Sequence, residues 1–294
     1  APRSGYYNGE LSESAAERIR QASSPRLQEN PDAELNARQE LAWFHQDLIK
    51  RKGAEYVADL DAFVQNDPVL KNISAETSSI VTIPVKASGE SENIYGTLAL
   101  YAQQEPVNGD KITILMNVNW LDTNHDIPDE WAAVQKTIAE IERAKIDFPN
   151  LAIATMQKEY NKEETGRTGG AIGYIAGDLM NAALLAVNGK IARGEMADDH
   201  DVLIVRSDAD LDGVARTQLR NFEKAAAENK DLDILKGATR FGVADYEKFP
   251  GFGISAAFST MMSVASSQES IHTGGANFAA RASTLAAVAG LGEY

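Results

Sequence analysis

Two carboxylates, Asp208 and Asp210, directly follow an apolar run at residues 202–205 that is typical of a buried parallel strand. Ligands of open α/β sheets bind beyond the carboxyl ends of such strands, so these side chains are expected where a ligand lies. Neighbouring carboxylates repel each other unless a cation joins them, and hard oxygen ligands suit Mg²⁺ or Mn²⁺ holding a diphosphate. The pair therefore predicts a metal and nucleotide site, although acidic residues at this spacing are also common in solvated turns.

The segments around this pair alternate between strand and helix patterns. Strands are predicted at residues 79–85, 111–118, 151–155 and 202–205, with a further one beginning at 232. Helices are predicted at residues 91–104, 129–144, 175–187 and 213–228. This order predicts an α/β domain over residues 77–294, built on a mostly parallel, doubly wound sheet.

Residues 1–76 have no strand pattern and instead repeat apolar residues at helical spacing between 11 and 72. This pattern predicts an N-terminal extension of two or three helices, which is a candidate contact between copies of the chain. Trp43 and Phe44 lie within one amphipathic segment, and such a pair is more often core than a ligand site.

The composition excludes several classes of protein. A formal charge of −15, from 43 acidic and 28 basic residues, argues against nucleic-acid binding because phosphate neutralisation needs a basic surface. The chain has no cysteine, which removes disulfides, thiol chemistry and cysteine-based zinc sites. No apolar run reaches the ~18 residues of a membrane span, and no signal-peptide pattern opens the chain, which favours a cytoplasmic location without a transmembrane segment.

Four segments, in this order along the chain, are similar to motifs of one enzyme group. Residues 80–98 resemble the opening strand, loop and helix of GT-A-fold glycosyltransferases, chiefly of family 2, and residues 177–184 resemble a G-D-x-M-N-x-A-L helix start of mannosylglycerate-synthase-like members. Asp208-Ala-Asp210 falls at the D-x-D motif of the group, and residues 273–291 resemble its acceptor-side G-G-x-N-F-x-x-R segment. The resemblance covers about residues 77–294.

The resemblance implies a GT-A (Rossmann-like) fold and a metal-dependent hexosyltransferase. Such an enzyme moves a sugar from a UDP- or GDP-sugar to a hydroxyl of a small-molecule or glycan acceptor, with Mn²⁺ or Mg²⁺ as cofactor. Asp210 is the expected direct metal ligand, with Asp208 nearer the ribose or a metal-bound water. The residues implied to contact the nucleotide sugar are Pro84, Val85, Lys86, Glu90, Asn117, Asn119, Arg167, Asp178, Asn181, Asp208, Gly274, Gly275 and Asn277.

Several of these assignments have alternatives. Glu90 either anchors the ribose or belongs to the start of the following helix, where acidic residues suit the helix dipole. Asn117 and Asn119 stand where the group usually has an acidic residue that contacts the base, so uracil and guanine both stay open. Arg167, in a glycine-rich segment, is either a phosphate-binding cation or part of a surface loop.

The acceptor-side assignments depend on the end of the chain. Glu293 lies near the position of the general base of inverting members, which takes the proton of the acceptor hydroxyl. Group members normally continue with further helices, so the resemblance implies either a longer C-terminus or N-terminal helices in that role, and it does not decide the stereochemical outcome. Arg281 is a candidate sugar or phosphate ligand, and Phe278 is expected in the core.

Two other functions stay open on the sequence. A nucleotidyltransferase of related fold would also use a carboxylate-held Mg²⁺, and would need a glycine-rich basic loop directly after the first strand. The segment Lys86-Ala-Ser-Gly89 is a partial version of such a loop. A non-catalytic carbohydrate- or protein-binding module is the other alternative, because a fold does not by itself establish an activity.

Overall fold

The computed structural model describes residues 21–30, 33–105, 111–161, 171–230, 234–236 and 278–288. The strands are β1 (Ser79–Lys86), β2 (Ile112–Leu121), β3 (Leu151–Tyr160), β4 (Leu203–Arg206), β5 (Ile234–Lys236) and β6 (Phe278–Arg281). The helices are α1 (Pro25–Glu29), α2 (Ala37–Lys52), α3 (Ala54–Asn66), α4 (Pro68–Lys71), α5 (Ile94–Tyr101), α6 (Pro128–Asp147), α7 (Ala171–Ala192), α8 (Gln218–Glu228) and α9 (Ala282–Ala287), and a 3₁₀ turn spans Asp122–Asp126.

The strands form one sheet of six in the order β3-β2-β1-β4-β6-β5. Strands β1 to β4 run parallel, whereas β6 pairs antiparallel with both β4 and β5. The prediction of an α/β fold with a mostly parallel sheet is therefore confirmed. The antiparallel β6 was not predicted, because its four residues, Phe-Ala-Ala-Arg, carry no strand periodicity.

Helices cover both faces of the sheet, which explains why the central strands are apolar at almost every position. Alternate residues of β1 point to opposite faces, so Ile80 packs with α2, α3 and α7, and Val81 packs with α5, α6 and α8. Both side chains are fully buried. Strands covered on two sides show continuous apolar runs, the pattern on which the sheet prediction depended.

The N-terminal helices pack directly on the sheet domain. Phe44 and Leu48 of α2 are fully buried in the same cluster as Leu115 of β2 and Leu184 of α7. Trp43 is partly buried against that cluster, so the prediction that Trp43 and Phe44 belong to the core is confirmed. The helices of residues 37–66 and the sheet thus share one hydrophobic core.

The strand order has a switch point between β1 and β4. From β1 the chain adds β2 and then β3 on one side, and β4 then pairs on the other side of β1. The register places Arg206, the last residue of β4, opposite Thr82 of β1. In open α/β sheets a crevice forms beyond the carboxyl ends of the two strands at such a point, and ligands bind there.

Candidate functional site

Asp208 and Asp210 lie at this switch point, just beyond the end of β4. The Asp208 residue is partly buried and Asp210 is exposed, while Ala209 between them is buried with 4% exposure. The Thr97 hydroxyl of α5 donates to the Ala209 carbonyl at 2.7 Å and accepts from the Leu211 amide at 3.1 Å. Thr97 therefore ties the loop that carries both carboxylates to a helix of the neighbouring β1–α5 unit.

Thr97 was not among the predicted site residues. It lies inside an apolar helix and is fully buried, so its hydroxyl needs hydrogen-bond partners. A buried threonine in an otherwise apolar helix is a weak signal of such a contact, and only the fold shows that its partner is the Asp208–Asp210 loop.

The carboxylates of the site influence one another. Burial raises the pKa of Asp208, and Asp210 adds to this shift while the buried Arg206 opposes it. Burial also raises the pKa of Glu90, with further contributions from Asp210 and Asp208, and Lys86 acts in the opposite direction. The ends of β1 and β4 thus bring together three carboxylates, and a bound cation would favour their charged forms.

The predicted nucleotide-contacting residues of β1 differ in exposure. Lys86 is exposed at the end of the strand, and Pro84 and Glu90 are partly buried. The Val85 side chain is fully buried in the core. A nucleotide at this edge can therefore meet the side chains of Lys86 and Glu90, but only the backbone of Val85.

The two asparagines of β2 form contacts within the sheet. Asn119 donates to the Val85 carbonyl at 2.7 Å and to the Asn117 carbonyl at 3.1 Å, which joins the ends of β1 and β2. Asn117 is fully buried and donates to the Tyr160 hydroxyl at 3.0 Å. Its Oδ1 atom is buried without a hydrogen-bond partner among the residues that the structure describes.

Asp178 of α7 is the centre of a polar network that includes Tyr160, the hydrogen-bond partner of Asn117. Its carboxylate accepts hydrogen bonds from the Tyr56 hydroxyl at 2.6 Å, from the Tyr160 hydroxyl at 2.9 Å and from the Lys158 ammonium. Asn181 donates to the Tyr56 hydroxyl at 2.9 Å. Burial is the main cause that raises the pKa of both tyrosines, and the Asp178 charge acts in the same direction.

This Asp178 network joins three parts of the chain at the carboxyl edge: α3 through Tyr56, β3 through Lys158 and Tyr160, and the first half of α7. Sequence reasoning selected Asp178 and Asn181 but missed the other three side chains. Lys158 and Tyr160 are two residues apart in a strand and therefore share a face, which was a usable signal. Tyr56 lies 122 positions from Asp178, and only tertiary packing brings the two together.

Arg281 lies at the opposite edge of the sheet from the carboxylates. Because β6 runs antiparallel to β4, Arg281 pairs with Leu203 at the amino end of β4. Its guanidinium donates to the carbonyls of Ala226 at 2.7 Å and Asn229 at 3.2 Å, at the end of α8. Arg281 therefore lies away from the edge that carries Asp208 and Asp210, and this placement does not support the expectation that it contacts the sugar or its phosphates. Phe278, at the other end of β6, is 2% exposed, as expected of a core residue.

Replacing Arg281 is expected to change stability and not ligand affinity. Arg281→Ala should lower the free energy of unfolding by about 1 kcal/mol, since it removes charge-assisted bonds to the last carbonyls of a helix. Urea unfolding measures this change, with Lys224→Ala, an exposed cation of the same helix, as the control. A clear loss of nucleotide affinity in Arg281→Ala would contradict the placement of this residue away from the site.

Five of the predicted site residues lie outside the described residues: Arg167, Gly274, Gly275, Asn277 and Glu293. Within the described ranges, no group of three or more histidine or acidic side chains is arranged to hold a metal ion. Among the helices that the structure describes, none is long and apolar enough to cross a membrane.

Comparison of the chain with protein-family models, curated proteins and solved structures found no match.

Proposed function

We propose that this chain is a metal-dependent glycosyltransferase of GT-A type that uses a nucleotide-diphosphate sugar. The observation that carries the proposal is the position of Asp208 and Asp210 at the switch point, beside Lys86 and Glu90 at the end of β1. Ligands of open α/β sheets bind at this edge. The strand that leads to the pair was predicted at residues 202–205 and is observed at 203–206, one residue further along.

The residues at this edge fit a divalent cation. Asp210 is exposed and suited to direct coordination, and Asp208 and Glu90 add negative charge nearby. Mg²⁺ and Mn²⁺ commonly take only one or two protein carboxylates and complete their coordination with phosphate oxygens and water, so a third clustered protein ligand is not required. When bound, the cation would stabilise the charge that develops on the leaving diphosphate.

Among the residues that the structure describes, Lys86 acts on the charge of Glu90 and Arg206 acts on the charge of Asp208. Lys86 is exposed at the end of β1, whereas Arg206 is buried with 3% exposure and donates to the Ser207 carbonyl at 2.6 Å. We infer that Lys86 contacts the diphosphate. Arg206 instead stabilises the loop that carries Asp208 and Asp210, through its hydrogen bond to the Ser207 carbonyl. A diphosphate carries more negative charge than one lysine balances, which is a further reason to expect a metal ion.

Calorimetric titration with UDP and with GDP, each in the presence of Mn²⁺ or of EDTA, tests the proposal. Binding of one nucleotide with Mn²⁺, and its loss with EDTA, is the expected result, and the preferred base narrows the donor. Absence of binding by both nucleotides with Mn²⁺ would overturn the proposal.

A nucleotidyltransferase is the second candidate, because Lys86-Ala-Ser-Gly89 follows β1 directly. One observation weakens it: the amides of Gly89 and Glu90 both donate to the Lys86 carbonyl, at 2.8 and 3.1 Å, and are therefore not directed at a phosphate. Phosphorus NMR separates the two candidates by their products. A glycosyltransferase releases a nucleoside diphosphate from UDP- or GDP-sugars, whereas a nucleotidyltransferase releases pyrophosphate from UTP or GTP with a sugar 1-phosphate.

A further inference from the structure

A cluster of three aromatic side chains and one carboxylate lies at the carboxyl edge, on the face covered by α6. It consists of Trp120 at the end of β2, Trp131 of α6, His125 of the 3₁₀ turn and Glu159 of β3, and is called the tryptophan platform below. The two indoles meet edge to face at 6.1 Å with an interplanar angle of 70°, and the His125 ring lies 3.9 Å from the Trp131 ring. Both indoles are only partly buried against the core.

Glu159 gives the tryptophan platform an ionised acceptor. Its Oε2 atom accepts from the Trp120 indole N–H at 2.9 Å and lies 2.6 Å from His125 Nε2. The hydrogen bond from Trp120, with a further one from His125, lowers the pKa of Glu159. The side chains of His125 and Glu159 remain 46% and 45% exposed, so a ligand can reach them.

These groups fit a ligand that has an apolar face and hydroxyl donors at its rim. Binding sites of this kind combine aromatic surface with a few polar groups that fix the orientation of the ligand. A lipid chain would bury the Glu159 carboxylate without offering it a donor, which is costly. The acidic neighbours Asp122, Asp126 and Asp129 disfavour a phosphorylated or otherwise anionic ligand.

A quaternary ammonium ligand would also suit the negative charge, but the ring arrangement argues against it. Such cations bind where several ring faces surround a space. Here the His125 ring packs on the Trp131 ring, and the two indoles pack against each other. A pyranose ring needs only one open aromatic surface with an acceptor beside it, and it therefore fits these residues better.

We propose that the tryptophan platform binds a sugar ring of the acceptor, so that the acceptor is a neutral glycan or glycoside. The inference rests on the proposed glycosyl transfer. Trp120 belongs to β2, which lies two strands from β4, roughly 10 Å across the sheet, and at the same carboxyl edge as Asp208 and Asp210. An acceptor ring held there would lie beside the donor site and not on top of it.

The three tryptophans of the chain allow a direct test by nitrogen-edited NMR of the indole N–H signals. Signals are assigned with Trp43→Phe, Trp120→Phe and Trp131→Phe, and the protein is titrated with the methyl glycosides of glucose, galactose and mannose at millimolar concentration. We expect at least one sugar to shift the Trp120 and Trp131 signals and to leave that of Trp43, in the N-terminal helices, unchanged. Glu159→Gln should weaken this binding about tenfold, because it removes the charge of the acceptor.

The inference is overturned if none of the three glycosides shifts either signal, since recognition of the ring itself should appear with simple glycosides. It is also overturned if choline chloride shifts both signals and the sugars do not, which would assign a cation site. Titration of the same sample with UDP or GDP and Mn²⁺ keeps the two proposals apart. Nucleotide binding without a sugar response removes only the acceptor site. A sugar response without nucleotide binding removes the proposed transfer and the acceptor role that rests on it, and leaves a sugar-binding site.

Discussion

Asp210→Ala is expected to weaken metal-dependent nucleotide binding by about 100-fold or more. A metal bridge to a diphosphate contributes several kcal/mol, and each roughly 1.4 kcal/mol corresponds to a tenfold change in affinity. The substitution removes the exposed carboxylate of the pair, while the loop keeps its attachment through Thr97. Calorimetry with the preferred nucleotide and Mn²⁺ measures the loss, and the residual binding should equal that of the wild type with EDTA.

Asp212→Ala is the matched control for this variant. Asp212 is also exposed and lies two positions further along, so its removal changes the net charge equally without removing a proposed ligand. Equal losses in the two variants would point to a general charge effect and contradict a metal site at Asp210. Unchanged affinity in Asp210→Ala would assign the cation, if one binds, to other side chains.

Asp178→Ala is expected to lower the free energy of unfolding by about 3 kcal/mol. The cost comes mainly from the tyrosine hydroxyls, which lose their acceptor in a largely buried site, because the Lys158 side chain is 39% exposed and water can solvate its ammonium. The donors left behind are the hydroxyls of Tyr56 and Tyr160 and the Lys158 ammonium, of which Tyr160 is the most deeply buried, with 8% exposure. Urea unfolding should show a lower midpoint with an unchanged slope.

Two further variants provide reference values for the loss of stability in Asp178→Ala. Asp199→Ala removes an exposed carboxylate and should change stability by less than about 0.5 kcal/mol. Tyr56→Phe removes a single hydroxyl of the Asp178 network and should cost about 1 kcal/mol. A loss below about 1 kcal/mol in Asp178→Ala would show that the three donors find other partners, and that the network does not hold α3, β3 and α7 together.

The sheet and the position of the carboxylate pair were predictable because both depend on local pattern. Apolar runs of four or more residues mark the strands, and Asp208 and Asp210 follow one of them directly. Strand ends were less predictable where side chains become polar. The structure extends β3 to Tyr160, while the apolar pattern ends at 155, because Lys158 and Tyr160 turn toward the Asp178 network and remain in the ladder with β2.

Other features depend on contacts that no local pattern contains. The placement of Arg281 at the opposite edge follows from the antiparallel direction of β6, and direction is set by how the chain returns to the sheet. The burial of Asn117 and the contact of Tyr56 with Asp178 require β2, α3 and α7 to be packed together first. Periodicity reports which face of an element is apolar, but not which element will cover it.

Side-chain periodicity within single segments was enough to predict the α/β class, the strands of the parallel part and the carboxylates at the end of one of them. Long-range packing places β4 beside β1, and this pairing brings Glu90 and Lys86 to Asp208 and Asp210. The same packing brings Trp120, Trp131, His125 and Glu159 together at this edge. Strand order and helix packing depend on the burial of apolar surface over the whole chain, and no single segment encodes them.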